Sequence, residues 1–176
     1  MSGITRVIGN ILDASGWLAK GCALALVVLV TANVLARYLF SAGNVGLQEL
    51  EWHLISPIAL LGMSYALHHG EHVRVDVFYE RMSPSLQAVV DIATALLTLA
   101  ISVYLAWVAV PYVYSAFAMG QGSPDPGGLP HRFLLKAFIP IGFGLLALQA
   151  INALLAAAAR LRSARQAHTH PAETAS

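Results

Sequence analysis

The chain has 176 residues, of which 57% are hydrophobic and only 11% are charged, and its mean hydropathy is +0.67. Soluble domains carry about 25% charged residues, so this composition excludes an ordinary soluble domain and favours an integral membrane protein. The formal net charge of +1 provides no basic surface for nucleic acid, and the single cysteine, Cys22, cannot form an intramolecular disulfide.

The first sixteen residues contain apolar positions that recur at the spacing of one helix face: Ile4, Val7, Ile8, Ile11 and Leu12. Polar residues occupy the positions between them. This pattern predicts a short amphipathic helix over residues 1–16, which would lie on the membrane surface or against a partner.

Four apolar runs follow, and each is long enough to cross a bilayer, which takes about 20 helical residues. They predict spans at residues 17–40, 52–69, 88–119 and 133–159 within one membrane domain, 17–160. Lys20 and Arg37 bracket the first run after a long polar leader, so we expect a span and not a cleaved signal peptide. Residues 161–176 are polar and predict a disordered tail. The predicted fold is an all-α integral membrane protein with four transmembrane helices.

The positions of the ten Lys and Arg residues predict the topology. Seven lie before the first span, between the second and third, or after the fourth, and three lie on the opposite side. Because basic residues are enriched in cytoplasmic loops, both termini are expected in the cytoplasm. The segment 120–132, which contains the turn sequence SPDPGGLP, would lie on the opposite side, in water or against protein.

A dense polar segment, HHGEHVRVDVFYERM, joins the second and third spans. His68 and His72 have the i, i+4 spacing that suits a metal, but the HEXXH order is absent and a glycine lies between them. We keep as the alternative hypothesis a membrane metal- or haem-binding redox protein that uses His68, His69 and His72. The charges nearly cancel, which favours a connector docked on protein or headgroups, with Arg74 and Asp76 ordering this corner.

Charged and aromatic residues at the start of the second span predict structural contacts. Glu49 and Glu51 are two residues apart, so their carboxylates point in different directions on a helix, which argues against a paired acid–base site. Trp52 follows them as an interfacial aromatic residue. The two carboxylates could be solvated at the membrane interface, or could form an ion pair with Arg37 at the same level or with a partner subunit. We expect Arg37 to pair with Glu49 or Glu51.

Small residues inside the spans predict close helix packing. Gly62 is expected to serve this purpose in the second span, and Pro140 with Gly142 opens the fourth. No ionisable residue lies at the centre of a span, and no nucleotide-binding or nucleophile motif occurs, so we predict no enzyme, no cofactor and no metal site. The same absence disfavours a third hypothesis, a self-sufficient small transporter or channel.

Two stretches, LQELEWHLISPIALLGMSYALHHGEHVRVDVFY and SPDPGGLPHRFLLKAFIPIGFGLLALQ, together resemble the small membrane subunit of tripartite ATP-independent periplasmic (TRAP) transporters. The resemblance extends from about Asn33 to Asn152. The residues that carry it are, in chain order, Arg37, Tyr38, Glu49, Glu51, Trp52, Gly62, His72 to Asp76, Pro140 and Gly142.

The resemblance implies a multi-pass protein of the bacterial cytoplasmic (inner) membrane that scaffolds a larger multi-span subunit without transporting solute itself. The large subunit would carry out sodium-coupled uptake of an organic acid delivered by a periplasmic binding protein. One departure lies two residues before the SPDPGGLP-like turn. Relatives often carry an acidic residue there, whereas this chain has Gln121, which weakens any docking role based on the charge of this loop.

Overall fold

The computed structural model describes residues 3–41, 43–71 and 79–169, with side chains described as far as residue 163. These residues form four helices, which agrees with the predicted count: α1, Gly3–Phe40; α2, Val45–His69; α3, Pro84–Ala118; and α4, Phe133–Thr169. Three of them, α1, α3 and α4, are long and apolar enough to cross a membrane. α2 has 25 residues, a sufficient length, but polar side chains occur toward both of its ends, within 48–56 and 64–69.

α1 is one continuous helix of 38 residues, about 57 Å long at 1.5 Å per residue. The sequence analysis placed a boundary between a surface helix ending at residue 16 and a span starting at residue 17, and the structure has no break there. The physical reason is a buried stripe that continues across the expected boundary: Ile8, Leu12, Ser15, Gly16 and Ala19. Both segments therefore pack against α2 as parts of one continuous helix.

Local signals fix where the helices begin and end. The Asn44 side chain accepts a hydrogen bond from the Leu47 N–H, so α2 begins seven residues before the predicted span. Ser83 caps α3 in the same way. α2 ends at His69 and is capped by Gly70. The φ of Gly70 is 74°, in the left-handed region, and its N–H donates to the Leu67 carbonyl.

The helices pack as two antiparallel hairpins, α1–α2 and α3–α4, which meet through α2 and α4. α1 touches α4 only weakly. The order across the molecule is therefore α1, α2, α4, α3, an open row and not a closed bundle. The outer helices consequently expose large apolar and aromatic side chains, such as Trp17 and Val27 on α1 and Tyr104 and Trp107 on α3.

The α3–α4 hairpin is held by a seam of small residues on α3. The buried residues of α3 occur at every seventh position: Ala88, Ala95, Ser102, Ala109 and Ala116. A seven-residue repeat keeps one helix face against its neighbour along the whole length of α3. Small side chains there let the two backbones approach closely, which is how helices associate in lipid.

Candidate interaction sites at the two ends of the row

Polar contacts between helices gather at the two ends of the row. We call the end that carries the connections 41–44 and 119–132 the loop end. We call the opposite end, which carries the start of α1 and the connection between α2 and α3, the terminal end. Of the residues singled out from the sequence, Arg37, Glu49, Glu51 and Trp52 lie at the loop end, and His68 and His69 lie at the terminal end.

Glu49 fastens the connection 119–132 to α2 at the loop end. Its carboxylate accepts hydrogen bonds from the Ser123 hydroxyl and from the Leu129 N–H, the latter over 2.6 Å. A side chain at Gly128 would press on Ser123 and would bring a Cβ within 2.8 Å of the Glu49 carboxylate. The two hydrogen bonds, followed by the charge of Arg132, outweigh burial and hold the pKa of Glu49 below its usual value.

Glu51 joins α2 to α1. Asn33, which is only 5% exposed, donates from Nδ2 to Glu51 Oε1 over 2.9 Å. The structure does not contain the expected ion pair of Arg37 with Glu49 or Glu51, because each carboxylate already has another partner. Arg37 instead lies over the ring of Tyr38, 5.9 Å from its centroid. A polar Asn33 inside an apolar run was the sequence signal for this contact.

Trp52 and His53 follow these carboxylates but point into different surroundings. Trp52 is 68% exposed, so its indole is available to lipid or to a partner. His53 Nδ1 lies 2.7 Å from the Glu49 carbonyl oxygen. Its Nε2 is buried and has no hydrogen-bond partner among the side chains that the structure describes.

The two histidines that end α2 connect it to both neighbouring helices at the terminal end. His68 Nδ1 lies 3.0 Å from Gln149 Oε1 and 3.5 Å from Asn152 Nδ2 on α4. His69 Nε2 lies 2.9 Å from Asp13 Oδ1 on α1. Gln149 is only 7% exposed. The sequence analysis missed these contacts, although Gln149 and Asn152 share a helix face at i, i+3 spacing.

The histidine contacts do not favour the metal or haem hypothesis. In residues 3–41, 43–71 and 79–163, no group of three or more His, Cys, Asp or Glu side chains could hold a metal ion. His68 and His69 are each bound to a side chain of another helix. His72, Arg74 and Asp76, which the sequence analysis also singled out, lie outside the described residues.

A second charged contact at the terminal end joins α3 and α4. Arg160 Nη2 lies 2.8 Å from Asp91 Oδ2, and the Tyr79 hydroxyl donates to the same oxygen over 2.8 Å. Burial, followed by the hydrogen bond and the negative charge of Asp91, raises the pKa of Tyr79. Tyr79 precedes α3, so this contact also fixes the path by which the chain enters that helix.

Close helix approach depends on two glycines, of which the sequence analysis named one. A Cβ at Gly142 would lie 2.6 Å from Leu60 Cβ, so this glycine lets α4 touch α2, two residues after Pro140. Gly16 has the same function between α1 and α2, since a Cβ there would overlap the ring of Tyr65. Gly62 was expected to pack closely, but no atom lies within 4 Å of its Cβ position.

Comparisons with known proteins cover all four helices. Residues 26–160 match the family described as tripartite ATP-independent periplasmic transporters, DctQ component. The ectoine TRAP transporter small permease protein TeaB of Halomonas elongata is 28% identical over 153 residues, which are 84% of this chain and 78% of that protein.

Two further relatives cover different shares of their own chains. A protein of Haemophilus influenzae named as a TRAP transporter small permease protein is 32% identical over 102 residues, 56% of this chain and 63% of that one. An uncharacterized protein of Sinorhizobium fredii is 25% identical over 182 residues, and the match covers 32% of its length.

Proposed function

Because this chain belongs to the DctQ family of TRAP transporter components, we propose that it braces a larger membrane subunit and does not itself translocate solute. It is a small permease subunit, and that family of transporter components is not enzymatic.

One observation carries the scaffold function: no Asp, Glu, Lys or Arg occurs in residues 21–36 of α1, 52–69 of α2, 92–118 of α3 or 137–159 of α4. Hydroxyl groups nearer the middle bond within their own helix, as Ser64 does to the Leu61 carbonyl and Ser102 to the Thr98 carbonyl. A polar solute would therefore find no charged side chain along these segments to replace its hydration. The chain offers surfaces for contact and no polar path.

The surface that fits a partner helix is the groove between α1 and α2. Small and branched side chains line it, among them Gly21, Ala25, Val28, Ala32 and Leu54. Gly21 and Ala25 are four residues apart and both are exposed, so another helix could approach the α1 backbone closely. We propose that a helix of the large multi-span subunit lies here.

The charge distribution and the family support the proposed orientation, substrate class and coupling. Seven of the ten basic residues lie on the terminal side of the spans, which supports cytoplasmic termini in the bacterial inner membrane and a periplasmic loop end. A periplasmic binding protein would deliver an organic acid to the large subunit, which would couple uptake to sodium.

The test is uptake by proteoliposomes that contain the chain alone, the large subunit alone, or both. We expect organic acid uptake, dependent on the binding protein and a sodium gradient, only when both are present, and co-purification of the two from mild detergent. Ectoine belongs in the substrate panel, since one relative is named for it. Uptake at full rate by either membrane protein alone would refute the scaffold function.

A further inference from the structure

A polar cavity opens at the loop end, where α2, α3, α4 and the connection 119–132 meet. Its volume is about 660 Å³. The polar and charged side chains that line it are Ser56, Tyr112, Gln121, Ser123, Arg132 and Lys136. The scaffold function proposed above makes no use of this cavity.

Two cations of the cavity lack a carboxylate partner. Lys136 Nζ donates to Gln121 Oε1 over 2.8 Å and lies 3.9 Å from the centroid of the Tyr112 ring, and both of these groups are uncharged. Within the described part of the chain, the ion pairs that form are at the terminal end, and neither Arg132 nor Lys136 takes part in one. No direct ion pair therefore balances the charge of either side chain.

Two carboxylates lie near the cavity, but neither belongs to its lining. The Glu49 oxygens accept hydrogen bonds from Ser123 and the Leu129 N–H, and Asp125 follows the lining residue Pro124. The charged side chains of the lining itself are Arg132 and Lys136, which give it a formal charge of +2. A cavity of this charge, with hydroxyl groups in its wall, is complementary to an oxyanion.

The position of the cavity indicates where the oxyanion comes from. Tyr112 is six residues from the end of α3, and Ile139 is six residues past the start of α4, so the cavity reaches the first turns of the spans. This is the level of aromatic residues and lipid headgroups. Further along α3 toward the bilayer centre, Tyr104, Trp107 and Val108 are exposed and apolar.

We propose that this cavity binds the phosphate group of a phospholipid headgroup, with the acyl chains of that lipid against the exposed face of α3. Arg132 would hold the phosphate oxygens through its forked guanidinium, and Lys136 would add a second charge-assisted hydrogen bond. The inference does not depend on the orientation of the protein, because both leaflets of a bilayer carry phosphate.

The test compares phosphatidylglycerol with a diacylglycerol of identical acyl chains, which lacks the phosphate, in lipid titrations of the full chain in detergent followed by native mass spectrometry. We expect the wild type to bind phosphatidylglycerol at least about tenfold more tightly, and Arg132→Gln with Lys136→Gln to remove that preference. Arg37→Gln is the matched control, because it removes an exposed cation at the same end of the molecule and should leave the preference unchanged.

A second variant keeps the cavity walls and both cations. Gln121→Glu has nearly the same shape and would place a carboxylate against Lys136 Nζ, so it should weaken phosphatidylglycerol binding by about tenfold while diacylglycerol binding stays constant. Equal binding of the two lipids by the wild type, or unchanged preference in both cavity variants, would overturn the proposal. Complete displacement of the lipid by inorganic phosphate would assign the site to a soluble anion and overturn the lipid source.

Discussion

The Glu49 carboxylate ties the connection 119–132 to α2. Hydrogen bonds from Ser123 and Leu129 lower its pKa from the ordinary value of 4.5. Because the folded pKa lies below the unfolded one, Glu49 contributes stability above pH 4.5, and this contribution disappears as the pH falls through the folded pKa. Acid should therefore weaken the attachment of the connection 119–132 to α2.

This linkage predicts the behaviour of Glu49→Gln. The wild type should lose thermal stability as the pH falls below 4.5, and the variant should lose less over the same range, because its side chain does not titrate. Unfolding midpoints in detergent across that range would measure the difference. Glu80→Gln, which changes an exposed carboxylate on the connection after α2, is the control and should follow the wild type. Parallel curves for wild type and Glu49→Gln would contradict the linkage.

Two glycines of α4 provide a matched pair for close packing. Gly142→Ala would force a Cβ to within 2.6 Å of Leu60 Cβ, so we expect a loss of about 1–3 kcal/mol in the free energy of unfolding. Gly144→Ala meets no atom within 4 Å and should gain up to about 1 kcal/mol from helix propensity. Unfolding in mixed micelles would compare the two variants. Equal effects would show that α2 and α4 do not touch at Gly142.

The residue scale is also where the sequence was least informative. It identified Glu49, Glu51 and Gly142 as structural positions, but it assigned Arg37 as the partner of the carboxylates. In the structure, Glu51 instead accepts a hydrogen bond from Asn33. Pairing between side chains depends on how two helices are rotated and shifted against each other, and single-chain periodicity does not determine either quantity.

At the scale of the element, the seven-residue seam of α3 explains why α3 and α4 form a hairpin. Ala95 lies on this seam and is buried, whereas Ala93, two positions earlier, is exposed. Ala95→Leu should separate the helices and cost about 1–3 kcal/mol of unfolding free energy. Ala93→Leu should change it by less than about 0.5 kcal/mol.

The measurement for this pair is unfolding in mixed micelles, with a fluorescence pair on α3 and α4 to report their separation. Ala93→Leu controls for the added volume and apolarity, since both variants make the same chemical change. If Ala95→Leu leaves the separation and the stability unchanged, the small-residue seam does not hold the hairpin.

Element number and order followed from the sequence, but element boundaries did not. Apolar runs predicted four helices, and four are present. Hydropathy marks the part of a helix that suits lipid, whereas hydrogen bonding determines where the helix ends. α2 therefore starts at Val45, after its Asn44 cap, and α1 includes the segment that was expected to be a separate surface helix.

At the scale of the whole molecule, the open row leaves its two outer helices only partly covered. In the most apolar 18-residue stretch of each helix, only 11% of α1 and 17% of α3 is buried. A chain that packs so little of its own apolar surface has helix faces available to a partner. The two outer faces differ, because the α1–α2 groove is lined by Gly, Ala and aliphatic side chains and the α3 face carries large aromatic ones.

This difference predicts which face binds the large subunit. Ala25→Leu would fill the groove without disturbing the chain itself, since Ala25 is exposed. Close helix packing in lipid depends on small residues, so the amount of large subunit recovered with the tagged chain should fall about tenfold. Ala100→Leu makes the same change at an exposed position of α3 and should leave recovery intact. The opposite result, with Ala100→Leu alone reducing recovery, would place the partner on the α3 face and leave the α1–α2 groove to lipid.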